Sequence, residues 1–262
     1  MPKYDYLLLH TQREFVKLEC EAIKKVNGNW ESIPSRLEVV IPIDPPPPNI
    51  DPYIFNNPWF YGYCRNANTP KNTAKQSVFL FCTFSPVKKA LLVDTVFVVN
   101  KKFAWLGIEE GYQPSQSFRN EYSYKTTDAL FQDFISPRVY KKQHTAAHTI
   151  YAAQHYSNHQ IPVKRSDDFF SFIPLTDEGG DYNLIDILPT IQKHYESDLL
   201  RKIERLEIQN KLFKVDFVFM EIMRYIFKKS TLLVTATETT GMPKVDKSFS
   251  QEYKERHYGK KE

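Results

Sequence analysis

The chain has 262 residues, of which 42 % are hydrophobic and 25 % are charged, so it can bury a core, and a disordered or fibrous protein is excluded for most of its length. Its 17 prolines and only 8 glycines argue against a glycine-rich phosphate-binding loop. The net charge of +4 is too small to identify a nucleic-acid-binding protein from composition alone.

The first strands and helices of the chain can be read from its apolar spacing. Residues 6–9 are typical of a short strand, and Thr11 and Glu14 have the T-x-x-E spacing of a capping box. The apolar residues that follow recur at helical spacing as far as Val26, which predicts a helix. A second strand is predicted over residues 37–41.

The clearest strands are predicted at residues 78–84 and 91–99. Both runs are rich in β-branched and aromatic residues, and the short segment between them favours a hairpin. Because both runs are almost continuously hydrophobic, we expect burial on both faces. Asp94 lies inside the second run, where an ionised carboxylate needs a partner. We expect either a structural bond, for example to Arg65, or a role in reading a ligand.

The second half of the chain is predicted to mix helices, strands and a long loop. Residues 107–127 show no sustained period and are predicted to form a loop, after which Asp128 caps a short helix. Alanine content indicates a helix from about residue 142 to residue 158. The remaining predicted elements are a strand over 169–174, helices over 186–206 and 217–227, and a strand over 232–235.

These elements follow one another without a regular βαβ alternation, which favours an α+β fold over a doubly wound sheet. We expect a single α+β domain over residues 1–240, in which helices flank a bent, barrel-like and mostly antiparallel sheet. Residues 241–262 are charged and almost free of aliphatic side chains, so this tail is expected to be flexible.

The cysteines and the N-terminal sequence indicate where the protein resides. The three cysteines are an odd number at wide spacings with no CxxC pair; they are Cys20, Cys64 and Cys82. The first 25 residues lack an apolar stretch with a cleavage site, and the longest apolar run is interrupted at Asp94. We therefore expect a reduced, cytoplasmic protein without a membrane span.

The positive charge is concentrated in the middle of the chain. Residues 61–165 carry 14 basic and 6 acidic side chains, whereas residues 1–60 and 166–240 are net acidic. Clustered positive charge raises the local concentration of anions, so an acidic ligand is expected at this middle segment. The alternative is that some lysines only protect strand ends; these are Lys88, Lys89, Lys101 and Lys102.

Aromatic residues are concentrated just before this basic segment. Six of the eleven residues from 53 to 63 are aromatic. Aromatic faces stack on bases and basic groups neutralise phosphates, whereas burial in the core is the alternative for at least half of these rings. The candidate ligand-binding residues are Trp59, Tyr61, Tyr63, Arg65, Lys71, Lys75, Asp94, Lys141 and Lys142.

Four of the seven histidines lie within sixteen residues, namely His144, His148, His155 and His159. On one continuous helix they would share a face, and neighbouring pairs could hold a divalent transition metal. The stripe would be roughly 22 Å long, too long for all four to bind one ion. Thr145 replaces the glutamate of an HEXXH motif. Contact with phosphates and an ordinary polar helix face are the alternatives.

Three hydrophobic runs resemble the strands of uncharacterised bacterial and phage domains grouped as nucleotide-modification-associated, and are similar in strand character to PUA-like barrels. The runs are SVFLFCT at 77–83, LVDTVFVV at 92–99 and FSFIP at 170–174. The resemblance covers about residues 55–175 and rests on strand character, not on catalytic motifs. It implies a small barrel whose cleft accepts a base, modified or not, in a flipped or single-stranded state.

The leading hypothesis is a protein that recognises nucleic acid or a nucleotide, without a cofactor, through an aromatic pocket and the basic segment. One alternative is a metal-dependent hydrolase or phosphodiesterase that uses the four histidines with an acid such as Asp167. Another is an interaction protein whose long helices at 190–228 form a homodimer. No GxSxG, Walker A or GxGxxG motif is present in the sequence, so no particular reaction is predicted.

Overall fold

A computed structural model describes most of the chain. The described residues are 5–10, 12–43, 52–62, 73–107, 113–132, 148–157, 169–178, 181–195, 201–203, 212–215, 218–237 and 242–260. The strands are β1 (Asp5–His10), β2 (Glu14–Val26), β3 (Asn29–Ser32), β4 (Leu37–Ile43), β5 (Phe60–Gly62), β6 (Val78–Ser85), β7 (Ala90–Trp105), β8 (His148–Ala153), β9 (Ile173–Glu178), β10 (Asp181–Asp186), β11 (Leu212–Lys214) and β12 (Leu232–Thr237). The helices are α1 (Gln116–Glu121), α2 (Tyr124–Leu130), α3 (Leu188–Ile191), α4 (Phe219–Lys229) and α5 (Lys247–Tyr258).

All twelve strands belong to one mixed sheet. Its main path has the order β11-β1-β6-β7-β10-β9-β12-β2-β3, while β4 pairs with β2, and β8 pairs with both β5 and β7. Strands β1 and β6 are parallel, and the other pairings between described strands are antiparallel. The α+β class is confirmed. Within the described residues the sheet is not closed into a barrel, so the barrel shape expected from the sequence is not confirmed.

The β6–β7 hairpin is buried on both faces, as its continuous hydrophobicity predicted. Alternate residues of β6 enter two different cores: Phe79 and Phe81 pack into one, Leu80 and Cys82 into the other. Helices α3 and α4 cover the second core, and Phe118 of α1 belongs to the first. Side chains on a strand alternate between faces, so a strand between two covered faces has few polar positions.

The helix predicted from Thr11 to Val26 is wrong, because residues 14–26 form strand β2. Thr11 itself lies outside the described residues. Buried and exposed side chains alternate along β2: Val16, Leu18, Cys20 and Ala22 are buried, whereas Lys17, Glu19 and Glu21 are exposed. This period of two fits a half-buried strand, and the helical interpretation used only the apolar positions that also fit a period of 3.6.

Two further predictions between residues 107 and 158 are wrong. Residues 148–153 of the predicted helix form strand β8, which pairs with β7 on one side and β5 on the other. Alanine favours a helix, but intrinsic propensity is a weak determinant, and these backbone pairings outweigh it. The predicted loop at 107–127 contains α1 and the start of α2. A short helix at Leu130 is confirmed, but its cap is the Ser123 hydroxyl, which accepts from the Thr126 backbone N–H, and Asp128 lies inside the helix.

The C-terminal third agrees with the sequence only in part. Helix α4 and strand β12 are confirmed, while the strand expected at 169–174 begins later, at Ile173. The helix predicted over 186–206 is interrupted, because α3 ends at Ile191 and residues 192–195 form a turn. Residues 212–214 are strand. The described helical residues within 190–228 are 190–191, 201–203 and 219–228, so the long helices expected there are not confirmed, and the helix-mediated homodimer stays a prediction.

The tail does not fray over residues 247–258, which form helix α5 and pack against β2. Asp246 caps this helix by accepting from the backbone N–H groups of Ser248 and Phe249. Aromatic rings provide the packing that aliphatic residues would normally supply: Tyr258 is 1 % exposed, and the His257 ring stacks on Phe15 at 4.8 Å. In the described part of the chain, no helix is both long and apolar enough to cross a membrane.

Candidate functional site

The structure describes six of the thirteen predicted site residues. These are Trp59, Tyr61, Lys75, Asp94, His148 and His155. The other seven lie outside the described residues; they are Tyr63, Arg65, Lys71, Lys141, Lys142, His144 and His159. Only these six residues and the groups around them have positions that bear on the predicted site.

The described rings of the aromatic cluster are core residues. Trp59 and Tyr61 are both 0 % exposed, and the Tyr61 ring lies edge-on to Phe79 and Phe81, with centroids 5.1 Å from each. A ring enclosed in this way has no free face on which a base could stack. The expectation of an exposed aromatic pocket at Trp59 and Tyr61 is therefore wrong in this structure, and core packing explains why the aromatic residues are clustered.

Asp94 has a structural partner, and the partner is Arg13. The Arg13 Nε donates to Asp94 Oδ2 at 2.9 Å and Nη2 donates to Oδ1 at 3.3 Å, with both side chains 1 % exposed. A β-bulge places Asp94 here, since Phe81 pairs with Thr95 and Cys82 with Val93, leaving Asp94 without an opposite residue. The structural alternative is confirmed with a different arginine from the one suggested.

Helix α5 closes over this ion pair. The Tyr258 hydroxyl accepts from the Arg13 backbone N–H at 3.2 Å, and the Ser85 hydroxyl donates to the Tyr258 carbonyl at 2.9 Å. Burial raises the pKa of both the Tyr258 hydroxyl and the Cys82 thiol. Both groups therefore stay neutral at physiological pH, and the arrangement is suited to holding the chain together rather than to chemistry.

The thiols that the structure describes are unsuited to nucleophilic catalysis. Cys20 and Cys82 are both free and buried. Burial, and to a lesser extent the charge of Glu19, raises the pKa of Cys20 to about 12. A thiol is a nucleophile only as the thiolate, so neither cysteine is activated.

Neither of the two described histidines of this set lies on a helix. His148 is the first residue of strand β8, and His155 lies just after that strand. His155 is half-buried, burial lowers its pKa, and its Nε2 atom has no hydrogen-bond partner among the described residues. The described residues contain no group of three or more His, Cys, Asp or Glu side chains that could hold a metal ion.

Three lysines meet at a groove beside the open end of the β6–β7 hairpin. The groove has a volume of about 450 Å³ and is lined by Thr73, Ala74, Lys75, Val99, Asn100, Lys101 and Lys102. Lys75 comes from the segment before β6, while Lys101 and Lys102 come from β7. We call this cavity the lysine groove. Its seven lining residues include no acidic side chain.

A β-bulge positions the lysines on β7. Val99 pairs with Ala153 and Lys101 with Ala152, so Asn100 is the extra residue of the bulge. Bulges bend a strand and change the direction of the side chains beside them. All three lysines of the groove are exposed, and Lys101 forms an ion pair with Glu121 at the end of α1. The lining of the groove thus includes three lysines, one of which is paired with a glutamate outside the lining.

Gln76 is next to the groove and is anomalous in two respects. Its side chain is 2 % exposed, yet neither Oε1 nor Nε2 has a hydrogen-bond partner among the described residues. Its φ angle is +66°, in the left-handed region that glycine prefers. The backbone holds it in place, because the Gln76 N–H donates to the carbonyl of Val99 at 2.7 Å.

A second cavity lies beside β2 and β3. Its volume is about 420 Å³, and its lining includes the hydroxyl groups of Ser32, Ser35, Ser157 and Thr235 and the guanidinium of Arg36. Glu21 also lines this cavity, so its charges offset one another. The lysine groove is the more positive of the two cavities.

A comparison of the chain with protein-family models, with curated proteins and with solved structures finds no match. The fold and the site therefore define only a class. The chain is an α+β protein whose open, mixed sheet carries a lysine-lined groove at one end of its central hairpin.

Sequence reasoning found this groove only in part. It selected Lys75 for phosphate contact, but it did not place Lys101 and Lys102 in the binding set. The bulge at Asn100 changes the strand register beside them, and a single asparagine in a strand-like run was too weak a signal to predict it. Nothing in the sequence distinguished Gln76, because a glutamine before a strand is common and its burial is visible only in the structure.

Proposed function

We propose that this protein binds nucleic acid or a nucleotide through phosphate groups held in the lysine groove. The observation that carries the proposal is the convergence of Lys75, Lys101 and Lys102, from two separate segments, on one cavity without acidic lining residues. Ammonium groups that neutralise phosphates release counterions, which provides most of the affinity in binding of this kind.

The groove suits a phosphate-bearing chain better than a small neutral ligand. Three exposed lysines line it together with the small residues Thr73 and Ala74. Lysine binds phosphate as a point charge without demanding a particular geometry. The rings of Trp59 and Tyr61 are buried, so the proposed binding uses the lysines alone and not the aromatic pocket expected from the sequence.

Fluorescence anisotropy with labelled single- and double-stranded oligonucleotides tests the proposal. The logarithm of the association constant should fall linearly with the logarithm of the salt concentration between about 50 and 200 mM. The triple variant Lys75→Gln, Lys101→Gln, Lys102→Gln should flatten the slope by about 2 to 3, since each lost phosphate contact contributes roughly 0.7 to 0.9.

A matched control removes the same charge elsewhere. Lys24, Lys89 and Lys228 are exposed lysines that do not line the groove, and changing all three to glutamine should leave the slope unchanged. Equal weakening in the two triple variants would show that only the net charge matters. Failure of the unaltered protein to bind any oligonucleotide at low salt would overturn the proposal.

A further inference from the structure

Strand β2 is flanked by irregular pairing on both of its sides at one point. On the side of β12, Val234 pairs with Ala22, whereas Ala236 pairs with Glu21. Thr235 is therefore an extra residue that forms a β-bulge. Bulges redirect the side chains beside them and are over-represented next to functional sites.

The pairing on the other side of β2 is interrupted at the same place. Strand β3 pairs with residues 23–26 of β2, and β4 pairs with residues 14–20. Residues 21–22 therefore lie opposite residues 33–36, the segment that joins β3 to β4, and this segment has two residues more than regular pairing needs. The sheet departs from regular pairing on both sides of Glu21 and Ala22.

The second cavity lies at this point of the sheet. Its lining includes Glu21, Thr235 and residues 33–36, together with Tyr156 and Ser157 from the segment after β8. The volume of about 420 Å³ falls within the range of roughly 300 to 1,000 Å³ of small-molecule sites. The cavity is therefore formed where the backbone itself is irregular, by segments that are distant in the sequence.

Thr235 is a buried polar residue of this lining. It is 5 % exposed, and its hydroxyl donates to the carbonyl of Glu21 at 3.2 Å. A hydroxyl group has one donor hydrogen and two acceptor lone pairs. Because the hydrogen is used by Glu21, the Thr235 oxygen remains able to accept a hydrogen bond.

The polar groups of the lining favour a ligand that both donates and accepts hydrogen bonds. Arg36 can only donate and the ionised Glu21 can only accept, whereas hydroxyl groups do both. One positive and one negative lining residue offset each other, so a strongly charged ligand gains little here. The lining residues with a hydroxyl group are Ser32, Ser35, Tyr156, Ser157 and Thr235.

Tyr156 adds an aromatic ring to the lining. The ring is half-buried and lies edge-on to Phe170, with centroids 5.0 Å apart, and Phe170 is itself a core residue. Ile23 and Ile33 also line the cavity. A cyclic saccharide has hydroxyl groups around its edge and C–H groups on its faces, so it suits a lining that combines polar groups with a ring and aliphatic side chains.

We propose that the second cavity binds a saccharide, an uncharged cyclic ligand with several hydroxyl groups. The Glu21 carboxylate and the Thr235 oxygen accept hydrogen bonds from the saccharide hydroxyls, and the Tyr156 ring contacts its C–H groups. This site is separate from the lysine groove, because the two cavities share no lining residue. The proposal therefore does not depend on nucleic-acid binding.

Saturation-transfer difference NMR with the full chain tests the proposal. The probes are D-glucose, D-galactose, D-mannose, N-acetylglucosamine, maltose and cellobiose, each at about 10 mM, because ligands of this size are expected to bind with roughly millimolar dissociation constants. At least one of these saccharides should receive saturation from the protein. Glu21→Gln should weaken its binding by about tenfold, since a hydrogen bond to a charged acceptor is lost.

Glu19→Gln is the matched control. Glu19 is an exposed glutamate two positions away on β2 that does not line the cavity, so its change should leave the saccharide affinity unaltered. Thr235→Val removes the buried hydroxyl at nearly constant shape and should weaken binding by about threefold or more. A thermal melt of each variant confirms that it is folded.

The remaining outcomes would overturn the proposal. They are the absence of saturation transfer to every saccharide, and equal affinities of the folded Glu21→Gln and Glu19→Gln variants. L-Serine is the zwitterionic probe, because Arg36 and Glu21 could hold its carboxylate and ammonium, and transfer to L-serine alone would exclude a saccharide site. Loss of saccharide binding in the triple variant of the lysine groove would place the ligand there instead.

Discussion

Among the described residues, buried polar groups are paired at one end of the β6–β7 hairpin, and a buried amide is unpaired at the other. At the closed end, which we define as residues 82–94, Asp94 pairs with Arg13 and the Ser85 hydroxyl bonds the carbonyl of Tyr258. At the open end, residues 75–78 and 98–102, the Gln76 amide has no partner among the described residues and three exposed lysines surround a groove. The same hairpin therefore has one end whose polar groups are paired within the chain and one end with exposed lysines and an unpartnered buried amide.

The difference follows from what covers each end. Helix α5 lies over the closed end, and the Lys88 ammonium of the turn donates to the carbonyl of Arg256 near the end of that helix. A buried charge must be paired, because its desolvation costs several kcal/mol. Exposed lysines have no such requirement, since water solvates their ammonium groups. A charged residue therefore indicates a binding site only where the fold leaves it uncovered.

The largest predicted effect comes from breaking the closed end. Arg13→Met leaves the Asp94 carboxylate buried and unpaired, so the free energy of unfolding should fall by about 3 to 5 kcal/mol. Urea unfolding followed by circular dichroism measures the loss. Lys75→Met at the open end should change the same quantity by less than about 0.5 kcal/mol, because the side chain is exposed.

The double variant Arg13→Met, Asp94→Leu is the control for this prediction. It removes both charges and should recover most of the lost stability, since the penalty comes from the uncompensated carboxylate rather than from the missing contact. If Arg13→Met and Lys75→Met lower the free energy of unfolding equally, the Arg13–Asp94 pair at the closed end contributes no more than an exposed lysine at the open end.

Gly259 allows a sharper test of how closely the end of α5 packs against the turn between β6 and β7. Gly259 has φ +84°, and a Cβ atom added there would collide with the Val87 side chain. Gly28 has nearly the same φ, +85°, with no atom within 4 Å of an added Cβ. Gly259→Ala should therefore lower the free energy of unfolding by about 1 to 3 kcal/mol.

Gly28→Ala is the matched control, because it meets the same backbone strain without the collision. It should cost about 1 kcal/mol, so the difference between the two variants in urea unfolding reports the contact with Val87. Equal losses would show that Gly259 is required for its backbone angle alone and that the turn does not depend on close packing against α5.

The elements that the sequence predicted correctly are those decided by local composition. The β6–β7 hairpin was found because β-branched and aromatic residues fill both strands and the turn between them is short. Helix α4 was found because its apolar residues recur along one face. In both cases the residues within the element are sufficient to specify it.

The elements that were predicted wrongly depend on pairing with strands that are distant in the sequence. Strand β2 contains a pattern compatible with a helix, and pairing with β4 and β12 decides in favour of a strand. Strand β8 is rich in alanine, and its two neighbours β5 and β7 make it a strand. The candidate site was missed for the same reason, because Gln76 is informative only once its burial is known.

The smallest predicted effect is a pH dependence at the contact between α5 and β2. Burial would raise the pKa of Glu14, but hydrogen bonds from Lys254 and Ser250 and the charges of Lys254 and Lys247 outweigh it, and the pKa is lowered. The Lys254 Nζ atom donates to Glu14 Oε1 at 2.5 Å. A carboxyl group whose pKa is lower in the folded state stabilises the fold above its unfolded pKa, and the contribution is lost as pH falls through the folded value.

Lys254→Met should therefore lower the free energy of unfolding by about 0.5 to 1 kcal/mol at neutral pH, and the difference from the unaltered protein should shrink as the pH falls below the ordinary glutamate pKa of about 4.3. Urea midpoints measured across this pH range test the prediction. Lys260→Met removes an ammonium that is 81 % exposed and 3.8 Å from Glu255, so it should show little effect at any pH. A difference for Lys254→Met that stays constant with pH would mean that the lysine stem, and not its charge, holds α5 against β2, because only the charge responds to protonation of Glu14.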